Sequence, residues 1–408
     1  MAIDRRSMYK FPWSKGDNPG AWVEVTDRCD LYCPGCYRHR LEGDRPFEDI
    51  KRDILACQAL TNCGRISIAG GEPLLYPHLA KVVEFIARRG MDPVIFTNGE
   101  RLDRAAATEL KKAGVHQFFV HIDSGQRRPG WEGKSEAELN ALRQHYADLI
   151  SDLGKVRCGM NVTLTRQTLR DVPLIVNWAT ENIDKVQNVS LIPLRGLDLS
   201  DGRRYAANGR ALDLSLWQSA SSTPDELTMT SDEIYETVQN ARPELRASAY
   251  LSGTAFTETT KFLVILPVGS PGRTYGVIGG KSVEVNEVLH HLRKGRYAAG
   301  PVNSRVGKRI FILGLFDREI RKALRRFTGA VSRNPALLVK PVFVQCINIQ
   351  QPNEIIDGEV NLCDGCINQM VYHGELIPSC KYDEYRLYGG PIIEITSEAE
   401  TMGRSMSS

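Results

Sequence analysis

No stretch of this 408-residue chain approaches the 18 or more apolar residues that cross a bilayer as a helix; the longest apolar runs, Phe262 to Val268 and Ile310 to Phe316, are seven residues each. A helical membrane span is not expected. The first residues, Met1-Ala2-Ile3-Asp4-Arg5-Arg6, lack an apolar core and do not read as a signal peptide. No internal repeat stands out. Ten cysteines in a chain of this size, with no secretory signal, read as metal ligands and free thiols rather than as a disulfide framework, so a reducing, cytoplasmic setting is expected. What remains is ordinary globular composition, 42% hydrophobic and 25% charged, long enough for a barrel of about 200 residues and a second region of similar size.

Three of the cysteines, Cys29, Cys33 and Cys36, form a CX3CX2C motif just after the strand-like run Trp22-Val23-Glu24-Val25. Three closely spaced thiolates can hold a 4Fe-4S cluster and leave one iron open to a small ligand. A zinc knuckle is the alternative, with His39 as the fourth ligand. About one strand-helix unit downstream, Ser67-Ile68-Ala69 runs into Gly70-Gly71-Glu72-Pro73. Two glycines let backbone approach a ligand closely, and Glu72 with the turn carbonyls can accept bonds from an ammonium group.

The two motifs together resemble the radical S-adenosylmethionine (SAM) superfamily. The resemblance implies a 4Fe-4S cluster on Cys29, Cys33 and Cys36, with SAM chelating the open iron and its amino group held at Gly70, Gly71, Glu72 and Pro73. It further implies reductive cleavage of SAM to a 5'-deoxyadenosyl radical that abstracts a substrate hydrogen, and a flavodoxin- or ferredoxin-type electron donor. One departure stands out. Gly35 precedes the third cysteine where the family carries a bulky residue, and Tyr37 is displaced to its far side.

Strand-like runs near 22 to 26, 65 to 69, 93 to 97, 116 to 122, 157 to 164 and 188 to 194 alternate with helical spacing such as Leu79 to Arg89 and Ala105 to Ala113. Six such units predict an α/β fold, a partial (β/α)6 barrel of the TIM type with a C-terminal α+β extension. Ligands in such barrels sit at the C-terminal strand ends, which nominates Thr97-Asn98-Gly99, His121 to Ser124, Asn161 to Thr163 and Pro193. The resemblance points within these to Asp123, Ser124 and Asn161 as SAM contacts; a helix cap or a turn would use the same residue types. His121 reads as structural.

Five regions are expected: an N-terminal segment 1–21, the barrel 22–195, a lid and α+β extension 196–292, a basic amphipathic segment 293–340 and a second cysteine region 341–408. Residues 195 to 230 read as a long loop, followed by cap chemistry over Thr228 to Glu233 for a helix from about Asp232 to Asn240. In the last region Cys363, Cys366 and Cys380 make CX2CX13C, with Cys346 upstream as a further candidate ligand of the same site. A second 4Fe-4S cluster is the favoured reading and zinc the alternative. The spacing resembles the auxiliary site of the GTP-cyclising enzyme of molybdenum cofactor synthesis and, more loosely, the twitch and SPASM extensions of peptide-modifying radical SAM enzymes. Gly389-Gly390 is followed by eighteen further residues, which argues against the same reaction as the GTP-cyclising enzyme. Cys57, Cys63 and Cys158 read as buried thiols.

Residues 293 to 340 carry thirteen Lys or Arg against Asp317 and Glu319, a net +11 in a chain whose total is +3. Leu313, Phe316, Ile320, Leu324 and Phe327 recur at helical spacing opposite Arg318, Arg321, Lys322, Arg325 and Arg326. Such a helix packs its apolar face on the barrel or docks on anionic lipid. Nucleic acid is disfavoured because aromatic interleaving is sparse. Three functions remain: a radical SAM enzyme acting on a lipid or isoprenoid at a membrane surface, peripheral to it; a twitch- or SPASM-like enzyme modifying a peptide or small molecule; and a non-catalytic iron-sulfur or zinc scaffold, for which an intact Gly-Gly-Glu-Pro turn has no evident use.

Overall fold

Short runs in which apolar residues alternate with polar ones form strands with one face in a core, and the first half of the chain folds accordingly. A computed structural model describes residues 4–395 except 32, 34, 35, 40, 215–219, 222–228, 301–303 and 353. After an edge strand β1 (Tyr9–Lys10), six parallel strands follow in order: β2 (Gly20–Glu24), β3 (Arg65–Ala69), β4 (Asp92–Thr97), β5 (Gln117–His121), β6 (Arg157–Leu164) and β7 (Asn188–Pro193). Helices α1 (Phe47–Thr61), α2 (Leu79–Arg88), α3 (Arg104–Ala113), α4 (Glu136–Ser151) and α5 (Val172–Glu181) form the crossovers. One apolar core, from Val23 and Ile68 through Phe118, Val162 and Leu191, joins the strands to these helices. The fold is α/β, with the six parallel strands of a partial barrel.

The sheet does not stop at residue 195. Strand Cys346–Gln350 pairs parallel with β7, Thr260–Ile265 pairs antiparallel with it, and Ala247–Ser252 then leads to β1, which completes a ten-stranded sheet. The gap between the two edge strands is filled by the C-terminal cysteine region. Asn18 Nδ2 donates to the Cys366 carbonyl at 2.9 Å, and a Cβ on Gly20 would stand 3.0 Å from the Ile367 carbonyl oxygen.

Residues 195 to 214 are not the open loop that their composition suggests. Arg204–Ala207 and Arg210–Leu212 form a hairpin closed by Asn208-Gly209, both at positive φ (49° and 74°), and Ile393–Ile395 adds a third strand. The strands are three and four residues long, too short for alternation to register. Parts of the expected lid, 215–219 and 222–228, lie outside the described residues, and with them Thr228. Helix α6 (Ser231–Ala241) does begin with a capping box, Thr230 with Glu233. Helix α7 (Gly280–Lys294) follows.

The basic segment corrects one expectation. Residues Lys308–Leu315 are a 3-10 turn, and helix α8 (Arg318–Arg333) starts only after Asp317, whose carboxylate caps it. Ile320, Ala323, Phe327 and Ala330 are buried, with Phe327 against Tyr275 (5.1 Å between centroids) and Phe311 (4.9 Å). The apolar face of α8 therefore packs inward and is not available to lipid. Helix α9 (Tyr382–Tyr388) comes last. Among the described residues no helix is long and apolar enough to cross a membrane.

Candidate functional site

The chain leaving β2 and the turn leaving β3 are interlocked. Gly71 N–H donates to the Thr26 carbonyl at 2.8 Å and Glu72 N–H to the Arg28 carbonyl at 2.7 Å. A Cβ on Gly70, whose φ is +150°, would fall onto the Thr26 carbonyl oxygen, and one on Gly71 onto that of Arg28. The glycine pair is thus required by the close approach of the segment that carries Cys29. Gly70 and Gly71 line the central cavity.

Glu72 and Pro73 stand behind that lining. Pro73 opens the 3-10 turn Pro73–Leu75. The buried Glu72 carboxylate accepts from Leu74 N–H (2.9 Å), Thr97 Oγ1 (2.6 Å) and Asn98 N–H (2.7 Å), which ties the turn to the end of β4. Burial raises Glu72 to about 7 against the pull of these donors. Its side chain is taken up by the fold rather than exposed to a ligand.

Cys29, Cys33 and Cys36 all line the cavity. Cys36 N–H donates to the Cys33 carbonyl at 3.2 Å, a tight turn across the last two cysteines. Burial pushes Cys33 up to about 12 and Cys36 to about 11. Gly35 lies outside the described residues, so its departure from the family pattern has no structural reading. Sequence reasoning missed the clamp on this loop. Buried Arg38 pairs with Asp27 (2.5 Å) and with Asp383 of α9 (2.7 Å), Arg386 of α9 pairs with Asp27 (2.8 Å), and His39 N–H donates to Asp383 (2.6 Å).

At the later strand ends, Asn98 Nδ2 donates to Asp30 at 2.7 Å. Asp123 accepts from Thr163 N–H (3.0 Å) and Gly125 N–H (3.0 Å) and pairs with His121 Nε2 (2.7 Å). Burial would raise Asp123, but His121, the Thr163 N–H and the charge of Arg143 outweigh it and hold the carboxyl below its usual value. Ser124 N–H donates to Glu136 at 2.7 Å, and Glu136 is paired with fully buried Arg143. His121, Asp123, Ser124, Asn161, Thr163 and Pro193 line the cavity. Asn161 Oδ1 is buried with no hydrogen-bond partner, an acceptor left over in a polar wall.

The second cysteine group is assembled only in part. Cys366 N–H donates to the Cys363 carbonyl at 3.0 Å, repeating the Cys33–Cys36 turn, and Cys366 Sγ accepts from Asn368 N–H at 3.4 Å. The Cys363 thiol donates to Cys366, which lowers Cys366 and raises Cys363. Cys380 is near enough to both Cys363 and Cys366 to feel their charge; its carbonyl accepts from Arg195 at 2.5 Å. Cations surround the group: Lys261, fully buried and paired with Glu354 (2.8 Å), Arg195, and Lys381, which burial lowers to about 8. Cys346 does not join it. It opens its strand opposite Asn188, at the N-terminal end of β7, and the groups acting on its thiol are Asn188 and Arg65. Cys57, Cys63 and Cys158 are buried in the barrel core.

Both cysteine groups open onto one cavity of about 930 Å³. Strands β5 to β7 and Cys346–Gln350 give it a polar wall with His121, Asn161, Thr163, Ser190 and Asn348; Phe11, Phe262, Val264, Leu266, Ile310 and Leu313 give it an apolar one. Among the described residues no three His, Cys, Asp or Glu side chains converge on a position for a single metal ion. A cubane spreads its thiolates over four irons and does not need that convergence. The donor set, three thiols in each group with two of them across one turn and no histidine among them, fits clusters better than zinc.

Residues 23–178 match the Radical SAM superfamily. Fe-coproporphyrin III synthase of Methanosarcina barkeri is 28% identical over 179 residues, 41% of this chain and 43% of that protein. PqqA peptide cyclase of Granulibacter bethesdensis is 28% identical over 169 residues, 39% and 43%. GTP 3',8-cyclase 2 of Pseudomonas aeruginosa is 35% identical over 111 residues, 26% and 33%. The chain spans less than half the length of each of these relatives. A structure of Streptococcus suis SuiB bound to S-adenosylmethionine aligns with a TM-score of 0.39 at 16% identity, over 55% of this chain and 47% of that one.

Proposed function

The chain carries a radical SAM domain over residues 23–178, and from that premise we propose that it binds a 4Fe-4S cluster and SAM and uses them to take a hydrogen atom from a substrate held in the barrel. The observation that carries this reading is the interlock of the cysteine loop with the Gly70-Gly71 turn, both on one cavity. Cys29, Cys33 and Cys36 would hold the cluster, with the backbone of Gly70 and Gly71 beside SAM and Asn161, Asp123 and Ser124 facing it across the polar wall. A bound cluster supplies the electron that cleaves SAM to the 5'-deoxyadenosyl radical. The protein's own contribution is orientation and exclusion of water. Arg38 and Asp383 hold the loop shut against α9, and the Glu72 bonds keep the strand ends together. A flavodoxin- or ferredoxin-type protein would deliver the electron.

Cys363, Cys366 and Cys380 would hold a second 4Fe-4S cluster with three protein thiolates, without Cys346. Its cations, Lys261, Arg195 and Lys381, favour thiolates over thiols. For the substrate, the apolar wall supports a molecule with a long hydrocarbon part, a lipid or isoprenoid. A second reading, a peptide substrate, is favoured by the likeness to PqqA peptide cyclase. Anaerobically reconstituted protein should form 5'-deoxyadenosine with dithionite, and Cys29→Ala, Cys33→Ala or Cys36→Ala should abolish it. Cys363→Ala should lower iron to about one cluster while SAM cleavage continues. Cleavage retained in the first three variants refutes the assignment.

A further inference from the structure

The outward face of α7 is more apolar than its inward face. Val285, Val288, Leu289 and Leu292 recur at the i, i+3, i+4, i+7 spacing of one helical stripe, and all four are exposed, Leu292 by 76%. The opposite face carries Val283 and Glu287 to the cavity. Beside the first turn of α7 stands the end of the 3-10 turn. Asp317 accepts from Gly279 N–H (3.0 Å) and Ser282 N–H (3.2 Å), which brings Ile312, Leu315 and Phe316 to the same end of the helix; Leu315 is 84% exposed. Folded chains seldom leave so many large apolar side chains open together without a use.

The charge around the stripe is predominantly positive. Lys281, Arg293, Lys294, Lys308 and Arg309 are exposed on the same elements, where Glu284 is the exposed carboxylate, and Arg318 is exposed at the start of α8. The helix also closes the cavity at the end away from the Cys29 loop. Its C-terminal Gly295 carbonyl accepts from Asn62 at 2.6 Å, and Arg296 donates to the Gly90 carbonyl at 3.3 Å, both on the side where the parallel strands begin. Ile310 and Leu313, on the inner side of the 3-10 turn, continue the apolar wall there.

We infer that α7 and the 3-10 turn Lys308–Leu315 form a docking face for an anionic lipid surface, with Leu289, Leu292, Ile312 and Leu315 entering the acyl boundary and the basic side chains on the headgroups. A second copy of the chain is the poorer occupant, because it would bring the same positive charge against the same face. The docking face stands without any assumption about the substrate, but it rests on the lipid reading for its purpose: it would set the apolar end of the cavity against the source of the hydrocarbon.

The test is co-sedimentation of the reconstituted enzyme with vesicles of phosphatidylcholine alone and of phosphatidylcholine with phosphatidylglycerol. Binding is expected to the anionic vesicles only, to weaken with salt, and to fall at least about tenfold in Leu289→Gln/Leu292→Gln/Leu315→Gln, with melting temperature and SAM cleavage unchanged. Arg325→Glu/Arg326→Glu on α8 is the control for charge alone and should weaken binding less. No binding, binding indifferent to the three leucines, or a dimer that the leucine variant dissolves would each overturn the proposal. SAM cleavage is read without vesicles, so failure of docking is distinguishable from failure of the assigned chemistry.

Discussion

Gly70→Ala separates a local backbone effect from one transmitted to the cysteine loop. Gly70 has φ +150°, which an alanine adopts at a cost of ~1–3 kcal/mol. Its new methyl would also occupy the position of the Thr26 carbonyl oxygen, so Thr26 to Arg28 must move. That motion sacrifices the Gly71-to-Thr26 and Glu72-to-Arg28 hydrogen bonds, each worth ~1 kcal/mol. The total is about 3–5 kcal/mol. Gly90→Ala is the matched control, since Gly90 also has positive φ (+73°) but a Cβ there meets nothing within 4 Å; strain alone should cost ~1–2 kcal/mol. Urea unfolding and iron content of the reconstituted proteins read the two effects separately. Gly70→Ala should lose about 2–3 kcal/mol more than Gly90→Ala and about four irons per chain, whereas Gly90→Ala should keep its iron. If the two variants match in iron and stability, the interlock does not position Cys29.

Two further outcomes follow from buried charge. Arg143→Met leaves the fully buried Glu136 carboxylate without its partner, which should destabilise by ~3–5 kcal/mol; Arg143→Met/Glu136→Gln should recover part of that loss in a thermal melt, and a double variant no better than the single would contradict the pairing. Burial raises Glu287 to about 7 against the Ala298 N–H that lowers it. The folded state then holds this proton more tightly than the unfolded chain does. Stability accordingly falls as pH rises from about 4.5 to about 7, by at most ~3 kcal/mol, and Glu287→Gln should flatten that part of the curve. Urea midpoints at pH 5 and pH 8 that shift equally in both proteins would refute it.

The barrel strands were legible because every second residue is apolar and packs into the helix-covered core, Ile66 and Ile68 in β3 and Cys158, Met160, Val162 and Leu164 in β6, while Asn161 and Thr163 between them face the cavity; β3 and β6 begin and end where the sequence puts them. The later strands were not, because their partners are remote in sequence. Cys346–Gln350 pairs with β7 some 150 residues earlier, and nothing in either segment names the other. The same distance hid the clamp on the first cysteine loop. Arg38 and Asp383 are 345 residues apart, while Cys29, Cys33, Cys36 and the glycine pair were readable from local spacing. Cys346 misled for a related reason. It is seventeen residues from Cys363, but the strand it opens carries the chain about 13 Å along the barrel before it turns back, so proximity in sequence becomes separation in space.

The basic segment shows what periodicity does not encode. A helical apolar stripe says which residues share a face, not what covers that face. In α8 the stripe is strong and the flanking charge heavy, features that suit a lipid surface, yet Tyr275 and Phe311 already occupy it. In α7 the pattern is weaker because both faces carry apolar residues, and the usual inference would bury Val285, Val288, Leu289 and Leu292 and expose Glu287. The fold does the reverse. A cavity that takes Val283 and Glu287 for its wall leaves α7 no second apolar surface to pack on, so its stripe must face outward. In the proposed docking the apolar contact therefore belongs to α7 and not to the basic helix whose periodicity first suggested it.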